Sequence, residues 1–259
     1  MKITPVVLIE TKKLFRSKIP LLTLIPLAFI PIMGGFFMFV LKDPDLAEGL
    51  GLISTKASIM GTADWPSYFE LLAQAIAIGG MIVFGFLTAW IFGREYSDRT
   101  INDLLALPQS RSTIVLAKFI VSVLWSLLLA LFVLGFGIFV GKAITLPLWS
   151  DAVARGGVYT FILCSVLTIL LSTPVALFAG IGRGYLSPLG FLISALVLAQ
   201  IIALTGYGQY FPWAIPALLA GVTGADGGLS SLSILIVLFT SAFGIIATML
   251  WWTYADHSG

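Results

Sequence analysis

Few side chains in this sequence are equipped for chemistry, and their spacing excludes most of what they could do. The one histidine, His257, stands near the C-terminal end without a partner motif and reads as a solvated tail residue. The one cysteine, Cys164, lies in an apolar stretch, so no intramolecular disulfide and no zinc or iron-sulfur ligand spacing exists. It reads as a small buried hydrophobe, and no metal site is expected. Glycines 180, 182 and 184 flank Ile181 and Arg183, but this run lacks both the spacing of a phosphate-binding loop and its Lys-Ser/Thr end. The chain is therefore not expected to hydrolyse ATP by itself, nor to hold a cofactor.

Ionisable residues are also absent from the interior of the long apolar runs, with Glu70 and Lys118 only at their margins. A charge at mid-bilayer costs about 2.5 to 3.5 kcal/mol on insertion scales and is kept mainly for proton relays, ion coordination or voltage sensing. Intramembrane catalysis and ion-coupled transport thus lose most of their support, although Na⁺ sites built from carbonyls and hydroxyls stay open.

The elements that would position any functional residue follow from composition. Of 259 residues, 59% are hydrophobic and 10% charged, too apolar for a surface facing water. The formal net charge is +2 and the basic residues fall in short clusters, which gives no electrostatic footprint for nucleic acid. A helix of roughly 20 apolar residues crosses the hydrocarbon core while satisfying its own backbone. Six stretches meet that length, about 20–41, 71–93, 114–141, 157–181, 188–206 and 232–254. The first is too long for a cleaved signal segment and is not followed by small-x-small cleavage chemistry. Strand-type alternation is missing, so the expected fold class is an all-α integral membrane protein, one domain over 1–259. Pro26 and Pro31 before Gly34 and Gly35, and Pro174 after Ser172 and Thr173, predict kinks serving packing; Gly137 and Gly141 offer a close helix contact.

Orientation follows from the basic residues. With the N-terminus inside, Lys2, Lys12, Lys13, Arg16, Lys18, Arg94, Arg99, Arg111, Lys118 and Arg183 share the cytoplasmic side, leaving Lys42, Lys56, Lys142 and Arg155 outside. Both termini are then cytoplasmic in a multi-pass protein of the cell membrane.

One connecting segment stands apart. Residues 94–113 lie between the second and third stretches and read as a short helix capped by Ser97 or Asp98, with Ile101, Leu104 and Leu105 on one face and Pro108 as its stop. Held by a span at each end, it would pass a partner's movement to both, its apolar residues gripped by a socket. The plain alternative is an amphipathic connector resting on lipid.

Glu95, Thr100, Leu104, Leu105, Pro108, Arg111 and Lys118 follow the pattern of an acid, Thr five residues on, Leu-Leu-x-x-Pro-x-x-Arg and a later Lys. In this the sequence resembles the permease subunits of type 2 ABC transporters, departing at Arg99, where many members have Gly. Within that family it is most similar to bacitracin and lantibiotic export or immunity permeases. The resemblance implies a transmembrane half-unit that pairs with a second permease copy or similar chain above two separate ATPase subunits. These would bind the ATP and Mg that this chain does not, docking on a coupling helix over Ser97–Leu107. It also implies an interface helix over residues 1–19, with Ile3, Val7, Leu8, Leu14, Phe15 and Ile19 on one arc opposite Lys12, Lys13 and Arg16. Membrane lipid headgroups would draw on the same basic residues.

The stretch 207–230, with Tyr210, Phe211, Pro212, Trp213 and Pro216, is too short between breakers to span and is expected to re-enter the outer leaflet. There it would serve either as a gate or as an aromatic anchor. Gln74, Gln200, Ser165 and Thr168 fit a path lining or polar contacts between helices equally. The expected function is an ATP-driven permease exporting a hydrophobic or amphipathic compound. The alternatives are a membrane solute-binding or scaffold subunit without an ATPase, and an ion-coupled carrier.

Overall fold

The computed structural model describes residues 3–43, 62–101, 109–222 and 230–255. Leu104, Leu105, Pro108 and His257 lie outside them. A short helix α1 (Ile3–Phe15) leads into the first span, α2 (Ile19–Leu41). The second comprises α3 (Trp65–Ala75), a π-helical segment (Ile76–Gly80) and α4 (Met81–Ser97). The third is α5 (Arg111–Ala143); the fourth is α6 (Asp151–Leu171) followed by α7 (Thr173–Ile181). After the fifth, α8 (Leu186–Leu204), come two 3₁₀ turns (Gly208–Tyr210 and Pro212–Ala214) and the five-residue α9 (Ile215–Leu219). The sixth span is α10 (Ser231–Tyr254). Among the described residues, six helices are thus long and apolar enough to cross a membrane, and no strand occurs.

Helix starts follow local chemistry. Asp64 accepts from Ser67 N at 2.9 Å ahead of Pro66, Ser110 from Thr113 N at 3.3 Å and Ser150 from Val153 N at 3.2 Å, each satisfying a donor that the first turn leaves free. The proline effects differ. Through Pro26 and Pro31 α2 continues as one helix, whereas the fourth span breaks at Ser172 with Pro174 in the first turn of α7. The Thr173 hydroxyl takes up the Leu170 carbonyl at 2.8 Å and also reaches Ser241 O at 3.1 Å on α10. Close approach there needs Gly244, since a Cβ would stand 2.6 Å from Pro174 N.

Spans two and four form the inside of the bundle, and the other four turn large apolar side chains outward, among them Phe29, Leu128, Ile201 and Phe239. That distribution suits hydrocarbon rather than water as the surrounding solvent. Three apolar clusters stack along the bundle. One centres on Trp65, Tyr68, Phe69, Leu72 and Phe161; a second on Met81, Leu171, Leu192 and Ile215; a third on Leu14, Phe92, Ile114, Val115 and Trp252. Gly137 and Gly141 face Leu72 and Trp65, where a Cβ would approach to 2.7 and 2.5 Å, so the predicted close helix contact is with α3.

The 3₁₀ turns do not stay at the bundle's end. Trp213 meets Phe191 edge-on with centroids 5.4 Å apart, and Phe191 lies 13 residues before the end of α8, or about 20 Å down that helix at 1.5 Å per residue. Cys164, mid-way along the fourth span, donates to Pro216 O at 3.5 Å. The chain returns by Gly221, beside Glu70. Over its described part, the segment expected to re-enter thus folds back against the bundle.

Candidate functional site

Four charged side chains meet at the end of the bundle that carries α1. Lys118 Nζ donates to Glu10 Oε2 at 2.9 Å, to Glu95 Oε1 at 3.0 Å and to the Ile91 carbonyl at 3.1 Å. Lys13 Nζ reaches Glu10 Oε1 and Glu95 Oε1, both at 2.9 Å. Thr100 Oγ1 donates to the remaining oxygen, Glu95 Oε2, at 2.7 Å, and its backbone N–H to Glu95 O at 2.9 Å. Lys118 is 0% exposed, Glu95 3% and Glu10 5%. With two acids and two lysines the group is neutral as a whole, and all four carboxylate oxygens have donors.

Three separate elements supply it: α1, the last turn of α4, and α5 two turns from its start. Removing one member of such a buried group leaves an uncompensated charge, at a cost of about 3 to 5 kcal/mol. Lys13, partly open to solvent, is the one whose titration bears on conditions. Burial alone would lower its pKa, but the Glu10 carboxylate and then Glu95 outweigh that and hold it above the ordinary lysine value.

Several expectations change here. Lys118 stands near one end of its span, two turns into α5, and is fully buried there. Ser97 and Asp98 do not cap a new helix. Ser97 ends α4 and Asp98 is its C-cap, since α4 runs four residues past the apolar stretch to bring Glu95 inward. Arg99 then turns left-handed with φ 57°, at the position where the resemblance expects Gly. Ile101 is buried in the third apolar cluster, to which Phe92 and Ile114 also belong.

On α1 the arc is rotated from the expected one. Val6, Glu10 and Leu14 are buried at a spacing of four, Lys13 turns inward beside them, and Leu8 and Phe15 are exposed. The ion group pulls that face in, and only Lys12 and Arg16 keep the outward direction assigned to them. Sequence reasoning missed Glu10 although a signal was present: an acid standing four residues from both Val6 and Leu14 on an otherwise apolar stripe.

Arg111 takes another part in the same end of the bundle. Its Nη1 donates to Trp252 O and Thr253 O, both at 3.1 Å, binding the start of α5 to last-turn carbonyls of α10.

In the segment after α8, Tyr210 is exposed, Phe211, Pro212 and Trp213 are half-buried, and Pro216 is buried. A ladder of rings runs from Phe178 through Phe191, stacked at 4.0 Å, to Trp213 and Phe211. Of the other polar candidates, Ser165 and Thr168 donate to carbonyls of their own helix, Gln74 donates to Glu70 at 3.1 Å, and Gln200 faces outward.

Residues 6–200 match the family described as ABC-2 family transporter protein. The chain is also 24% identical over 177 residues to the Bacitracin transport permease protein BCRB of Bacillus licheniformis, an alignment covering 68% of this chain and 85% of that one. The matched region takes in most of α1 and all four charges of the ion group, which the fold has brought to one end. This chain belongs to the ABC-2 family of transporter membrane proteins.

Proposed function

We propose that this permease is the transmembrane half-unit of an ATP-driven exporter, and that movement of separate ATPase subunits enters it through the segment 97–107. The observation that carries this reading is the ion group. Thr100 fastens the first residues of that segment to Glu95, and Glu95 is fastened through Lys13 and Lys118 to α1 and α5. A displacement of the segment is therefore passed to three elements at once. Lipid alone could not exert such a directed force, and a docked protein could.

In this reading the ion-group end is cytoplasmic, in agreement with the excess of Lys and Arg there. Two ATPases supply ATP and Mg chemistry, and a second permease copy or similar chain completes the path. The re-entrant segment, its rings reaching into the bundle, gates that path from the outside, and the chain itself carries no catalytic residue. As substrate we favour a hydrophobic or amphipathic compound of the peptide-antibiotic or lipid-like kind; the relative named for bacitracin transport supports that class.

The test is purification of the full chain in mild detergent, native and with Leu104→Asp and Leu105→Asp together, followed by identification of bound subunits. A P-loop ATPase retained by the native chain and lost from the folded double variant is the expected result. Absence of any ATPase under conditions that preserve complexes would overturn the proposal and favour a solute-binding or scaffold subunit.

A further inference from the structure

The outward face of α1 is unlike its inward face. Between residues 12 and 18 stand four basic side chains, and only Lys13 has an acidic partner among the described residues. Lys12, Arg16 and Lys18 are exposed, without an ion pair to any described residue. Lys12 and Arg16 are one turn apart, on the same side of the helix.

Beside these cations the surface is apolar. Leu8 and Phe15 of α1 are exposed, and so are Leu21, Leu22 and Ile25 in the first turns of α2. Phe15 packs edge-on against Trp125 of α5 at 5.2 Å, and the Trp125 indole N–H is held by Thr23 of α2 at 3.1 Å. Those contacts seat the α1–α2 elbow where the outward apolar surface of the first span begins. The elbow thus sets unpaired cations directly beside side chains that face hydrocarbon.

That juxtaposition, cation next to acyl-facing surface, is the complement of a phospholipid rather than of a soluble anion. A free phosphate would use the cations and leave Leu8, Phe15 and Leu22 in water. An acidic protein surface would use the cations but would have to cover side chains continuous with the lipid-facing wall. We infer that the elbow formed by Lys12, Arg16 and Lys18 with Phe15 and Leu22 is a binding site for anionic phospholipid of the leaflet on that side. The inference rests on the membrane reading of the chain, but not on its being coupled to an ATPase.

The site has a consequence for the ion group, because α1 is one rigid helix with Lys12 and Arg16 on its outside and Glu10 and Lys13 on its inside. A bound headgroup holds the helix down from without while Lys118 holds it from within. Each basic residue near an anionic surface favours binding by about fivefold, so three of them set a preference of about a hundredfold, falling as salt is raised.

The test uses the full chain in nanodiscs of phosphatidylcholine with about one-fifth phosphatidylglycerol, a composition within the anionic range over which this attraction operates. After release into detergent, retained lipids are counted by native mass spectrometry. Expected is retention of phosphatidylglycerol by the native chain, its loss in the variant Lys12→Gln, Arg16→Gln, Lys18→Gln, and its persistence in Arg155→Gln, which removes a cation at the other end. Protease cleavage within α1 should also rise in pure phosphatidylcholine.

Equal retention by the triple variant overturns the inference. So does equal loss in Arg155→Gln, which would mean attraction by overall charge alone. A triple variant that keeps its lipid but sheds a co-purifying ATPase also overturns it, assigning the face to a protein partner and leaving the proposed function standing.

Discussion

The two ends of the bundle are held by different physics. At the α1 end an apolar cluster is supplemented by a few charge-assisted contacts joining residues far apart in sequence, such as Glu10 and Lys118. At the other end, among the described residues, rings meet instead, Trp65 against Tyr68 and Trp149, while the re-entrant Trp213 carries ring packing inward to Phe191. Charge contacts at fixed distance have two states, made or broken. Ring packing yields by degrees, since an offset of an ångström forfeits only part of the attraction. Under the proposed function, an end that reports a partner's position suits the first kind, and a segment that lets irregular molecules by suits the second.

Breaking this comparison begins with Lys118→Met, the largest expected effect. Glu10 and Glu95 would share Lys13 alone, and the loss should be about 3 to 5 kcal/mol. It is checked by thermal unfolding in detergent together with protease sensitivity of α1. Replacing all four charges at once, Glu10→Leu, Lys13→Met, Glu95→Leu and Lys118→Met, should restore most of that stability while leaving transport abolished. Stability and transport falling and recovering together would make the group mere glue.

Next is Trp213→Ala. A buried aromatic truncated to Ala costs about 3 to 5 kcal/mol, and half-burial should bring this to about half. The unfolding midpoint should fall less than with Lys118→Met, while substrate leak or basal ATPase in the assembled transporter rises. A smaller effect of opposite sign is expected for Arg99→Gly. Relief of a left-handed residue is worth about 1 to 2 kcal/mol, less the entropy glycine adds to the unfolded chain, so a gain of up to about 1 kcal/mol should appear in the midpoint.

The smallest effect is in pH. Lys13 has its pKa raised in the folded chain, so its contribution is complete below the ordinary lysine value of about 10.4 and is lost as pH rises through the raised one. Protease sensitivity of α1 followed from pH 8 to 12 should rise at the alkaline end. Lys13→Met should remove the part of that rise due to Lys13.

Much of this was legible in the sequence because the bilayer leaves a chain few options. Apolar length found all six spans, with ends displaced outward where polar turns extend the helix, as at Trp65–Ser97 and Asp151–Ile181. Pro174 marked a real break because Ser172 and Thr173 supply hydroxyls to the freed carbonyls. The π segment at Ile76–Gly80 left no readable mark, since the same apolar residues serve an α-helix equally well. In the candidate site, Glu95, Thr100 and Lys118 were singled out by pattern, and the fold brings all three into contact. Glu10 and the inward turn of Lys13 were not read, because periodicity sorts residues by polarity and cannot know that two acids and two lysines will neutralise each other in the interior.

The Glu10–Lys118 contact spans 108 residues of chain, and this dictates an order of assembly. Glu10 leaves the ribosome early, and at about 5 to 20 residues per second Lys118 follows roughly 5 to 20 seconds later. Through that interval α1 is made but has nothing to close upon. Its Leu8 and Phe15, with Lys12 and Arg16, are what keep a newborn amphipathic helix lying at the membrane surface until the second and third spans arrive to receive it.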